Sequence, residues 1–238
     1  MISIVIPAHN EESVVGSAIQ AARAAASEAG VRFEILVVDD ASTDRTAAIA
    51  EEAGVRIISV NVRQIARARN AGGIAALGEK LLFVDADTIV TAAIVKSALE
   101  AMENGAVGGG ASVVFDEPVP AYAKVCLSVF AAVMRVQRIA FGCFLFCTKQ
   151  AFDAVGGFDE RMFAGEELMM SRALRKQGRF VILRQAVLTS GRKVRTHSRW
   201  ELLKIFVRVS SGGLRGVKDR RRLDLWYAPR RRDGGKAS

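Results

Sequence analysis

Leu81-Leu82-Phe83-Val84-Asp85-Ala86-Asp87 decides how the chain is read. Four apolar residues, too few for a helix, suit a buried strand, and the chain passes at once to two carboxylates spaced i, i+2. The same grammar recurs upstream. Ile2–Pro7 is a β-branched run followed by the polar stretch Ala8–Glu12, and Phe33–Val38 runs into Asp39-Asp40-Ala41-Ser42-Thr43-Asp44. Val55–Val60 is a further strand. Helical segments lie between them. The first is expected from a cap at Asn10, with Glu11 and Glu12 in its first turn, to about Gly30. The second starts at Ser42 or Thr43 and ends near Gly54; the third covers Gln64 to about Leu77; the fourth covers Thr91–Asn104. Such alternation defines an α/β fold with a mostly parallel central sheet and helices on both faces. Ligands of such sheets bind beyond the carboxyl ends of the strands, where all three polar clusters fall.

The second half is less regular. Gly108–Phe115 and Phe141–Thr148 read as strands, Val119–Arg138 and Gly165–Gln177 as helices, Phe180–Leu183 and Ala186–Leu188 as short strands, and Arg199–Val209 as a last amphipathic helix. No linker divides the chain. Residues 1–214 therefore read as one domain, whose halves (about 1–104 and 105–214) wall a single cleft, followed by a basic tail, 215–238.

Composition narrows the classes. Half of the 238 residues are apolar, enough for a substantial core. The N-terminus carries no secretory pattern, and no uncharged run approaches the ~20 residues of a spanning helix. The most apolar stretch, Val119 to Thr148, is broken by Lys124, Arg135 and Arg138. Cys126, Cys143 and Cys147 form neither a disulfide framework nor a metal set, and read as small core residues in a reducing, cytoplasmic setting. The net charge is +9, and nine Lys or Arg against three Asp lie in residues 215–238. That tail is a solvated end or a contact with anionic lipid at the inner face of the membrane. No nucleic-acid-binding module accompanies it, so no nucleic-acid partner is expected.

Asp85 and Asp87, pointing the same way on an extended segment, can share a divalent cation, or divide between a cation and a sugar hydroxyl. Asp40 can accept from the N–H of a base, or cap a helix. Arg67 and Arg69 can reach phosphate or a facing carboxylate. Either Glu166 or Glu167 can serve as general base, although both are also good helix starters. His9 can line a nucleotide pocket, and His197 can bind metal or phosphate; each can equally be structural.

Together these residues resemble the family-2 glycosyltransferases of GT-A fold, a Rossmann-like three-layer sandwich. The resemblance rests on Val5-Ile6-Pro7-Ala8-His9-Asn10-Glu11-Glu12, Val37-Val38-Asp39-Asp40-Ala41-Ser42-Thr43-Asp44, Ala68-Arg69-Asn70-Ala71-Gly72, Phe83-Val84-Asp85-Ala86-Asp87, Gly156-Gly157-Phe158-Asp159-Glu160 and Gly165-Glu166-Glu167-Leu168. It covers roughly residues 2–178 and implies a nucleotide-sugar site built from Pro7, Ala8, His9, Glu11, Asp40, Arg67, Asn70, Asp85 and Ala86. It further implies Mn²⁺ or Mg²⁺ on Asp87, with Asp85 on ribose or metal and His197 as a third ligand. Glu167, where the family usually has Asp, would be the base, with Glu166 beside it. The donor would be a nucleotide-diphosphate sugar, UDP preferred over GDP, the acceptor an unidentified hydroxyl, and the outcome inversion.

Two rival classes fit part of the pattern. Asp85-Ala86-Asp87-Thr88 matches the nucleophile motif of haloacid-dehalogenase-like phosphatases, but that motif normally opens its domain, and here two strand–helix units precede it. A related nucleotidyltransferase would need a Gly-rich loop after the first strand, which is absent from the sequence. A non-catalytic nucleotide-sugar-binding or membrane-docking protein would use the basic tail and Trp200–Val209, but has less need of both a metal pair and a base.

Overall fold

The structure is a computed structural model that describes residues 1–115, 136–140 and 142–190. Eight strands, β1 (Ile2–Ala8), β2 (Phe33–Asp40), β3 (Arg56–Val60), β4 (Lys80–Val84), β5 (Thr88–Ile89), β6 (Ala106–Phe115), β7 (Phe144–Thr148) and β8 (Arg179–Thr189), form one sheet. Their order is β3-β2-β1-β4-β7-β6-β8-β5. Neighbours pair in parallel at β1/β2, β1/β4, β2/β3 and β6/β8, and antiparallel at β4/β7, β6/β7 and β5/β8.

Period-two alternation assigns side chains to the two faces of this sheet. Ile4, Ile6, Val37, Leu82, Val84 and Phe146 join one core, packed under α1 (Val15–Glu28), α2 (Thr46–Glu52) and α4 (Ala92–Glu103). Val5, Leu36, Val38, Leu81, Phe83 and Leu145 join the other, packed under α3 (Ile65–Ala75), α5 (Lys149–Val155) and α6 (Glu166–Gln177). Helices cover both faces, as the alternating pattern predicts. Small residues let α3 approach closely: a methyl added at Gly72 would sit 2.8 Å from Val38 Cγ2 and closer still to Val5 Cγ1.

Several local expectations are corrected. Asn10 does not cap the first helix. It adopts φ 54°, its backbone N–H donates to Ser42 Oγ (2.9 Å), and its side-chain oxygen accepts from Thr43 N (2.7 Å). Ser42 and Thr43 are thereby committed to the β1 loop, and α2 starts later, at Thr46, with Asp44 accepting from the Thr46 N–H (2.9 Å). Long-range loop pairing has won over local capping preference. The helix expected over Thr91–Asn104 is α4, capped by Thr91, whose hydroxyl accepts from Ile94 N. The two short strands expected after Gly178 are one, β8, whose pairing with β6 shifts register between Gly110 and Ser112. The strand expected from Phe141 begins at Phe144. The second-half helix expected at Val119–Arg138 (all but residues 136–138), the helix at Arg199–Val209, His197, Cys126 and the basic tail lie outside the described residues. Among the described residues, no helix is long and apolar enough to cross a membrane.

Candidate active site

The order β3-β2-β1-β4 puts the ends of β2, β1 and β4 side by side, so the three polar clusters meet at one edge of the sheet. The clusters bind one another before they bind anything else. Asp40, only 5% exposed, accepts from the N–H groups of Val62 (2.7 Å), Arg63 (2.8 Å) and Gln64 (3.0 Å), fixing the loop into α3. Its neighbour Asp39 accepts from Ser42 N (3.3 Å). His9 bridges this frame. A guanidinium can only donate, so Arg63 donates to His9 Nε2 (2.9 Å) and the ring must donate from Nδ1 to the Asp40 carbonyl (2.8 Å). His9 therefore stands between β1 and the 62–64 loop, with the Arg63 guanidinium at its outer edge. Pro7 and Ala8 form the buried end of β1, and the Glu11 N–H donates to Thr46 Oγ1 (2.7 Å).

The Asp85-Ala86-Asp87 segment is not extended. Thr88 N donates to the Asp85 carbonyl (3.0 Å), closing a turn, so the carboxylates are related by turn geometry rather than by strand alternation. Asp87 accepts from Thr189 Oγ1 (3.3 Å), and its carbonyl from Ser190 N (3.2 Å), which ties the turn to the end of β8.

Arg69 occupies the centre. It is 2% exposed and lies 5.4 Å from the Phe158 ring centroid. Nη1 donates to Glu166 Oε1 (2.5 Å), and Nη2 donates to Asp85 Oδ1 (2.7 Å) and the Gly142 carbonyl (2.7 Å). Burial opposes its charge, but the Asp85, Glu166 and Glu167 carboxylates outweigh that and hold it above the ordinary arginine range. Arg69 and Asn70 share with Ala66 and Gly73 the buried stripe of α3. A facing carboxylate was one of the partners expected for Arg69; that i, i+3, i+4, i+7 spacing, two polar side chains on a stripe of otherwise small residues, was the available signal that it is also a buried hub.

The acidic pair divides. Glu166 is buried and ion-paired with Arg69, whereas the half-buried Glu167 carboxylate packs against Gly142. Burial first, then the charge of Glu166, pushes the Glu167 carboxyl up to about 8, against the pull of Arg69. Cys143 is partly buried and packs against the first core, close to the expected core role. Its carbonyl accepts from Asp85 N (3.1 Å), and burial together with the Asp85 and Asp87 charges raises its thiol well above the usual range. Cys147 is a buried core residue, as expected. Asn70 is turned away from the strand ends: it donates to the Phe158 carbonyl (3.0 Å) and Glu160 Oε1 (3.1 Å) and accepts from Phe158 N (2.8 Å). Arg67 pairs with Glu160 (3.1 Å), the facing carboxylate rather than a phosphate.

Among the described residues, no three His, Cys, Asp or Glu side chains converge as a ready metal cage. The donor set nevertheless suits Mn²⁺ or Mg²⁺. It offers hard carboxylate oxygens from one turn, 29% of the Asp85 side chain is exposed, and a bound diphosphate would supply the missing oxygens.

The chain belongs to glycosyltransferase family 2, whose model, described as "Glycosyl transferase family 2", matches residues 3–151. Over 95 residues it is 37% identical to the undecaprenyl-phosphate 4-deoxy-4-formamido-L-arabinose transferase of Pseudomonas aeruginosa (strain LESB58), covering 37% of this chain and 28% of that protein. The enzyme of the same name from Edwardsiella ictaluri is 32% identical over 94 residues, covering 38% and 27%. The match thus spans less than a third of either relative's length. Among solved structures, a Pyrobaculum calidifontis mannosyltransferase in complex with GDP-Man and Mn²⁺ superposes with TM-score 0.65 at 18% identity, covering 79% of this chain and 56% of that one. S. aureus TarS 1–349 in complex with UDP-GlcNAc gives 0.64 at 19%, covering 79% and 58%. Glucosyl-3-phosphoglycerate synthase from Mycobacterium tuberculosis, in complex with Mn²⁺, UDP and phosphoglyceric acid, gives 0.62 at 18%, covering 97% and 80%. These likenesses establish the GT-A fold.

Proposed function

We propose that the protein transfers a sugar from a nucleotide-diphosphate sugar, UDP-linked in preference to GDP-linked, to an acceptor hydroxyl with inversion. The carrying observation is the divided acidic pair, in which Glu166 is neutralised by Arg69 while Glu167, outside that ion pair, keeps a carboxyl of raised pKa near Asp85. Glu167 takes the proton of the acceptor hydroxyl, the oxygen attacks the anomeric carbon, and the bond from that carbon to the diphosphate oxygen breaks on the opposite face. Asp87, with Asp85 and His197, would hold a divalent cation. When bound, that cation neutralises charge on the departing diphosphate. His9, Arg63 and the loop organised by Asp40 frame the base side, with Glu11 toward the ribose.

A hydroxyl acceptor is favoured over a lipid phosphate, although the curated relatives are named for undecaprenyl phosphate. A phosphate monoester is already anionic near neutral pH (its second pKa is about 6), so its oxygen needs no base. A raised-pKa carboxyl suits a hydroxyl. An acceptor at the membrane surface would find the basic 215–238 segment suited to anionic lipid.

The test is a thermal-shift and hydrolysis panel of UDP-glucose, UDP-GlcNAc and GDP-mannose with and without Mn²⁺. A donor-induced rise in melting temperature that requires the metal, and that EDTA or Asp87→Ala removes, is the expected result. Metal-independent turnover undiminished in Asp87→Ala would sink the cation role. Undiminished transfer in Glu167→Gln would favour a phosphate acceptor instead.

A further inference from the structure

We infer that Arg69 is the positioning residue that locks the acceptor-side helix α6 to the donor-side Asp85 turn, committing Glu166 to structure and leaving Glu167 as the group presented to the acceptor. The inference rests on the base assignment of Glu167.

Three segments converge on one guanidinium, from positions 97, 16 and 73 residues away: Glu166 in the first turn of α6, Asp85 at the end of β4, and the Gly142 carbonyl ahead of β7. No other side chain among the described residues bonds both the Asp85 turn and the acidic pair. Stability does not account for the arrangement. A buried ion pair must offset the desolvation of both partners, and Arg69 Nε is left buried with no hydrogen-bond partner among the described residues. The arrangement does account for geometry. The planar fork donates in fixed directions to two carboxylates and a carbonyl, which sets the distance between the β4 turn and the start of α6. Gly142 is part of the same lock. Its carbonyl is held by Arg69, and the Glu167 carboxylate lies against the space that a side chain at position 142 would take. A lysine ammonium preserves the charge and loses the fork.

Two variants separate clamp from charge. Arg69→Lys keeps the cation. Arg69→Met combined with Glu166→Gln removes one positive and one negative charge, leaves net charge unchanged, and strands no buried ion, because Asp85 reaches solvent. Each is compared with wild type by hydrogen exchange and by Mn²⁺-dependent hydrolysis of UDP-GlcNAc, UDP-glucose and GDP-mannose. Both variants should exchange at least about tenfold faster at residues 142–144 and 166–170 with β1 and β2 unchanged. Both should lose about 100-fold in kcat while the donor KM stays within about threefold, since a misplacement near 1 Å costs that much. Wild-type exchange in those segments, or a kcat within about threefold of wild type in either variant, overturns the inference. Glu167→Gln, measured alongside, tests the base assignment separately: full turnover there removes the base while the exchange data still decide the clamp.

Discussion

Glu167 rests its carboxylate on Gly142. A methyl added at that glycine would stand 3.3 Å from both the Glu167 carboxyl carbon and Oε1. The absent side chain therefore sets where the proposed base sits. Gly142→Ala requires a shift of a few tenths of an ångström in Glu167 and little else. It is expected to lower kcat about tenfold, with donor affinity and melting temperature near wild type, since reaction rate is steep in positioning. Steady-state kinetics beside a thermal melt measure both; an unchanged kcat would show that Glu167 is not held by this contact.

The raised Glu167 carboxyl couples activity and stability to pH in opposite directions. The base must be ionised, so kcat/KM should climb through about pH 8 and level off above it, a limb absent from Glu167→Gln. Folding lifts this carboxyl from 4.5 to about 8, so the folded state binds a proton that the unfolded chain releases. The resulting stability is complete below about pH 4.5 and is lost as pH rises through about 8. Urea titrations at pH 5, 7 and 9 should show wild type losing stability relative to Glu167→Gln across that window. Parallel curves would count against a raised carboxyl.

Asn70 holds the 158–160 segment by three hydrogen bonds. Asn70→Ala leaves the Phe158 N–H and carbonyl unpartnered in a buried position and frees Glu160 from one of its donors. A loss of about 2–3 kcal/mol in unfolding free energy is expected, because a stranded buried polar group costs its desolvation. Nucleotide affinity, read by calorimetry with UDP and Mn²⁺, should change less than threefold, within about 0.6 kcal/mol. A large affinity loss at unchanged stability would reverse the assignment.

Gly72 sets the seat of α3 on the sheet. Gly72→Ala drives a methyl into Val5 and Val38, and should cost at least about 1–3 kcal/mol by overpacking. Chemical denaturation measures it. The same helix carries Arg69, so faster exchange at the Glu166 end of α6 is expected alongside; tolerance of the alanine would mean that α3 can lift without penalty.

What could be read without the structure was local. Short, nearly continuous apolar runs in β1, β2 and β4 announce strands buried on both faces because they are too short for helices, and helical runs between them announce a covered parallel sheet. Asp85 and Asp87 were legible because they stand directly after such a strand. The helix read from Thr91 was legible because its signals are local: Thr91 caps it through Ile94, three residues away. Reading failed where a distant partner outbid a near one. Asn10 left its helix for Ser42 and Thr43, and Asp85–Asp87 closed into a turn fastened to Thr189. The resemblance singled out Glu167, but that Glu166 is the one held by Arg69 could not be read from the residues. Two adjacent residues on a helix point about 100° apart, and which of them meets a guanidinium depends on how α6 docks against α3, 97 positions earlier in the chain. The sequence by itself determined the strands, the order of the polar clusters and the residue types available. Tertiary packing alone decided that Arg69 joins them, because a buried charge takes its role from whatever neighbours the fold delivers.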